Sequence, residues 1–86
     1  MTRQILRDDV QRIRVANLAS TTSEASLRAL FEPFGKVFAY ERPVDTQTEA
    51  PGAYVLLRMA AASADRAIVA LDGQRLDGRA IRVSRS

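Results

Sequence analysis

Three short stretches of this chain place chemistry-bearing side chains at every second position. In RIRVANL, Arg12 and Arg14 flank Ile13. In GAYVLLRM, Gly52, Tyr54, Leu56 and Arg58 fall on one side of a period of two, and Ala53, Val55, Leu57 and Met59 on the other. In AIRVSRS, Arg82 and Ser84 alternate with Ile81 and Val83. A guanidinium is a flat cation that forks onto phosphate or carboxylate oxygens and lies on aromatic faces, and a phenol ring offers such a face. Groups of this kind hold anions and planar rings, and the pattern groups no nucleophile with a base and an orienting acid.

Composition narrows the classes further. The 86 residues carry 13 basic and 10 acidic side chains, a net charge of +3, and twelve of the bases are arginine, with Lys36 the one lysine. That bias is compatible with nucleic-acid binding. It also follows from the base composition of an alanine- and arginine-rich genome, and composition alone leaves both readings open. Cysteine and histidine are absent, which excludes disulfides, thiolate or imidazole metal sites, and the commonest pairings of catalytic base and nucleophile. No catalytic residue, metal or cofactor is therefore assigned, and the chain reads as a non-enzyme. A domain this small buries only about 60 to 65% of the surface its unfolded chain exposes, so little room is left for a deep pocket. With no apolar run of membrane-spanning length and no signal-like start, the expectation is a cytoplasmic protein without a membrane partner.

The elements that must position these side chains follow from pattern. Residues 1–11 carry mixed charge without a period and are expected to form an arm; residues 12–86 form the domain. A first strand runs from Arg12 to Leu18. Thr21 and Glu24 make a capping box for a helix whose face is Leu27, Leu30, Phe31 and Phe34, closed by Pro33 and Gly35. KVFAYERPV is a second strand, with Pro43 near its end as an edge strand allows. Its phase is open: Val37 faces inward, while either Tyr40 or its neighbours could face out. After the turn-rich residues 45–52 comes the third strand, then a helix with Ala64, Ala67, Ile68 and Leu71 inward and Gly73 as its stop. The tail turns at Asp77-Gly78 and ends in a fourth strand. Strand, helix, strand, strand, helix, strand is the α+β, ferredoxin-like βαββαβ sandwich: a four-stranded antiparallel sheet with two helices on one face and the other face open.

At this point the residues resemble a family. IRVANL is similar to the RNP hexapeptide of the RNA recognition motif (RRM), with Arg14 in the place of its aromatic. APGAYVLL, Ala50 to Leu57, resembles the RNP octapeptide, with Gly52 and Tyr54 at its two usual aromatic places. LRALFEPFGKV resembles the first helix and turn, ADRAIVALDG the second helix and LDGRAIRV the last strand, so the likeness covers residues 12–86. It is closest in kind to the small, single-domain, bacterial type.

The resemblance implies a strand order that puts Arg14 and Tyr54 side by side, with Arg82 and Ser84 on one flank and Phe38, Tyr40, Glu41 and Arg42 on the other. It implies binding of single-stranded RNA, or single-stranded DNA, by stacking of unpaired bases and pairing of phosphates. The candidate RNA-binding residues are Arg14, Tyr54, Arg82, Arg58, Ser84, Leu56, Gly52, Asn17, Arg12 and Phe38. Arg14 can replace a lost ring, because a guanidinium plane also stacks on a base; as a solvated strand residue it would merely keep the face soluble. Arg75 and Arg79, flanking the Asp77-Gly78 turn, could touch phosphate or simply be solvated, while Glu41, Asp45 and Glu49 would repel it. The alternative is that Leu56, Tyr54 and Phe38 form an apolar patch for a protein contact or a homodimer.

Overall fold

The computed structural model describes residues 10–43 and 53–86. Period-two burial organises the strands. β1 (Val10–Ala16) sinks Ile13 and Val15, and β3 (Val55–Ala60) sinks Val55, Leu57 and Met59, each fully buried. β1 begins at Val10, inside the stretch expected to be an arm, because Val10 still pairs with Ala60. The last strand, β6 (Arg82–Arg85), buries Val83. With β2 (Val37–Glu41) they form an antiparallel sheet in the order β2-β3-β1-β6. The two helices are α1 (Glu24–Phe31) and α2 (Ala61–Leu71). Their buried residues Leu27, Phe31, Ala64, Ala67 and Leu71 join the inward strand residues in one core, so both helices lie on the same face of the sheet. This is the ferredoxin-like sandwich expected from the sequence.

Local chemistry differs from the expected pattern at several points. The cap of α1 is Ser23, whose backbone is extended and whose hydroxyl accepts from the Ser26 amide at 3.1 Å; Thr21 is not the cap. A turn from Ala19 to the Thr22 amide uses up the preceding residues, and Thr22, buried, donates its hydroxyl to Asp77 at 2.7 Å. Glu24 thus becomes the first helical residue and pairs with Arg28 one turn on. After Phe31 a 3-10 turn, Glu32–Phe34, carries Pro33 and ends at Gly35. Gly35 is required by close approach: a methyl there would stand 2.7 Å from Ser63 Cβ at the start of α2. Pro43 lies beyond the end of β2, which is nonetheless an outer strand.

The tail holds two short strands more than expected. Asp77 and Gly78, both at positive φ (53° and 85°), turn a small hairpin of β4 (Arg75–Leu76) and β5 (Arg79–Ala80), and only then does β6 join the sheet. Two consecutive left-handed residues give the turn whose twist matches a hairpin. On its outer edge β6 directs the Val83 amide to Asp72 Oδ1 at 2.9 Å, which satisfies one donor that an edge strand would otherwise leave open.

Candidate nucleic-acid interface

Because the helices cover one face, the residues alternating with the core ones form a second, open face. Register places them in rows. Arg14 on β1 stands directly opposite Leu56 on β3 and Ser84 on β6, while Leu56 in turn faces Glu41 on β2. One row down, Arg12 faces Arg58, and Arg58 faces Ala39. One row up, Ala16 faces Arg82.

Tyr54 lies just before β3, beyond the last β1–β3 pair at Val15 and Val55. It is diagonal to Arg14 and half-buried, yet it is not among the side chains packed on the core. The Arg14 guanidinium covers its ring at 4.8 Å from the centroid, a cation–π contact on the open face. The two residues are therefore neighbours as expected, although the side chain directly across from Arg14 is Leu56. Ala53, expected on the core side, is exposed: it too precedes the strand, and its carbonyl accepts the Leu18 amide at 2.9 Å.

Arg12, Arg14, Arg58 and Ser84 are exposed, and among the described residues none of the three arginines has an acidic partner. Arg82 is also exposed, with its Nε 3.5 Å from Asp72. Asn17 is placed otherwise. Its backbone is left-handed, at φ 62°, and both ends of its amide are used: Nδ2 donates to the Ala80 carbonyl at 2.8 Å, and Oδ1 accepts from Arg79 at 2.7 Å. It ties β1 to the β4–β5 hairpin. Arg79 is thereby committed to Asn17, and Arg75 bonds the Gly78 carbonyl at 3.3 Å. Arg42 is held away from the sheet, donating to the carbonyls of Thr22 and Ala19 in the β1–α1 connection. Gly52, like Asp45 and Glu49, lies outside the described residues.

The second strand resolves its own phase through a bulge. The register slips between Val37, opposite Met59, and Ala39, opposite Arg58, so Phe38 is the extra residue. Tyr40 then returns to the core side opposite Leu57 and packs there, while Phe38 is 52% exposed. Lys36 Nζ lies over the Phe38 ring at 5.9 Å. Lys36 escaped the sequence reasoning, although it flanks inward Val37 on the same side as Phe38 and an alternating count finds it. Leu56 sits between Glu41 and Arg14, so charge interrupts the apolar patch expected from Leu56, Tyr54 and Phe38. Among the described residues, no three acidic side chains gather as metal ligands, and no helix is long and apolar enough to cross a membrane.

Comparison with known proteins agrees with this layout. The family pattern described as "RNA recognition motif" matches residues 13–82. Serine/arginine-rich splicing factor 8 of Homo sapiens is 38% identical over 77 residues, 88% of this chain and 27% of that protein. The chain spans about a third or less of the longer curated relatives it matches. It spans 80% of the putative RNA-binding protein RbpD of the bacterium Nostoc sp., at 35% identity over 86% of its own length. A crystal structure of RNA binding protein PG1 superposes with a TM-score of 0.81 at 27% identity, covering 88% of this chain and 93% of that one. With its strand order, its open face and these matches, the chain belongs to the RNA recognition motif family.

Proposed function

We propose that this chain is a non-catalytic binder of single-stranded RNA that works in the cytoplasm and uses the uncovered face of its sheet. The observation that carries the reading is the Arg14 guanidinium lying over the Tyr54 ring at 4.8 Å where no helix covers them. Tyr54 lies outside the packed core and keeps part of its surface open to solvent. An unpaired base stacked on it adds a second planar surface, and Arg14 can share that base by its own flat face. Arg12, Arg58 and Arg82 surround the pair and take phosphates, while Ser84 offers a hydroxyl beside Arg14. Single-stranded DNA presents stackable bases and phosphates too; the 2′-hydroxyl, and uracil in place of thymine, separate the two ligands on such a face.

The relatives support the reading by name, the Nostoc protein most directly because this chain spans most of it. The test is titration of a labelled mixed-sequence RNA oligonucleotide with the unmodified protein and Tyr54→Ala at low and moderate salt. Saturable binding that weakens with salt, and weakens by about 1 to 3 kcal/mol in the variant, is the expected result. Binding indifferent to Tyr54 overturns it.

A further inference from the structure

Phe38 is the second flat surface on this face, and two independent features present it. The bulge in β2 keeps both Val37 and Tyr40 on the core side and leaves Phe38 off it, 52% exposed on an outer strand. Leaving a large ring in water forgoes burial, and bulges are devices that re-aim a side chain. Lys36 Nζ stands over that ring, so Phe38 carries a cation in the same manner as Tyr54 carries Arg14.

Charge decides what the ring would receive. Lys36 lies over the ring, Arg58 is opposite Ala39 next to the bulge, and Arg12 is opposite Arg58 one strand further on; none of the three has an acidic partner among the described residues. A planar group attached to an anionic chain fits this setting, whereas an apolar peptide would have to desolvate the cations. Resting on the reading that the open face binds RNA, we propose that Phe38 is a second base-stacking position, and that the Arg12–Arg58 pair holds the phosphates running between it and Tyr54. Four residues of β3 and one strand spacing separate the two rings, about 14 Å. That is longer than one extended nucleotide step of a splayed single strand, so the two bases are separated by at least one nucleotide in the bound strand. Glu41, opposite Leu56, closes the route along β2, and the backbone crosses the central strands instead.

The distance makes the test one of length. Oligouridylates of two, four, six and eight nucleotides are titrated against the unmodified protein, Phe38→Ala, Phe38→Trp and Tyr54→Ala. Phe38 is exposed, so its variants are expected to fold, and circular dichroism checks this. The expected result is that Phe38→Ala binds the hexamer and octamer about tenfold more weakly and leaves the dimer unchanged, that Phe38→Trp restores long-oligomer binding, and that Tyr54→Ala weakens every length. Equal affinity of Phe38→Ala and unmodified protein at all lengths, or a loss that Phe38→Trp fails to restore, overturns the second position while leaving the first standing. A mixed-sequence RNA octamer is titrated alongside, and if the unmodified protein binds neither it nor any oligouridylate, the underlying reading fails with the second position.

Discussion

Arg12 and Arg58 stand directly opposite each other on the two central strands, both exposed, on the face that the helices leave uncovered. Like charges at opposite places in an antiparallel pair destabilise the sheet. No acidic side chain among the described residues relieves them. Under the proposed function, an anionic ligand would offset the repulsion of this pair, which lies one row from Arg14.

Arg58→Thr should therefore move two quantities in opposite directions. Threonine suits a strand and removes the repulsion, so urea denaturation should show the free protein more stable, by about 0.2 to 1 kcal/mol. RNA affinity should fall, and the slope of log affinity against log salt should shrink by about 0.7, the value of one lost phosphate contact on a single strand. A loss of stability in this variant would mean that the pair is held by something other than its ligand.

Asn17 should act through the fold. Its left-handed backbone and its bonds to Ala80 and Arg79 are separable: Asn17→Gly keeps the conformation and loses the bonds, whereas Asn17→Ala loses both. Thermal denaturation should rank them unmodified, then Gly, then Ala, with the alanine variant down by about 1 to 3 kcal/mol. RNA titration of the folded variants should stay within about twofold of the parent, since neither end of the amide is free to meet a ligand.

Gly35→Ala tests the closest approach between the end of the first helical segment and α2. The added methyl meets Ser63 Oγ and Cβ, and overpacking of this kind costs about 1 to 3 kcal/mol. Pairing it with Ser63→Gly should recover part of the loss, so the double variant should be more stable than the sum of the single changes allows. Strict additivity would place the cost in the backbone of Gly35 alone.

The fold was legible where a period runs unbroken. Ile13 and Val15, then Val55, Leu57 and Met59, announce the two central strands because large apolar side chains recur at every second position, and all five are fully buried. Tyr40 was not legible in the same way. A bulge adds one residue to the count and inverts the phase after it, and VFAYE carries no local mark of where that happens. The cap of α1 failed for another reason: Ser20, Thr21, Thr22 and Ser23 all offer hydroxyls, and the choice is made by a long-range bond from Thr22 to Asp77. Asn17 looked like a face residue because it follows a strand pattern, yet its positive φ turns it toward the hairpin. The pairing of Arg14 with Tyr54 was foreseeable from the motif order. That the ring is covered by the guanidinium depends on diagonal geometry, which only the register supplies.

Whether RNA lies on the open face is read from amide chemical-shift mapping of the isotope-labelled protein with a mixed-sequence single-stranded RNA octamer. Shifts should gather on residues 12–16, 54–58 and 82–84, with the outward amides of α1 and α2 unmoved. Shifts confined to the helices or to the β4–β5 hairpin, or none at saturating RNA, would contradict the account.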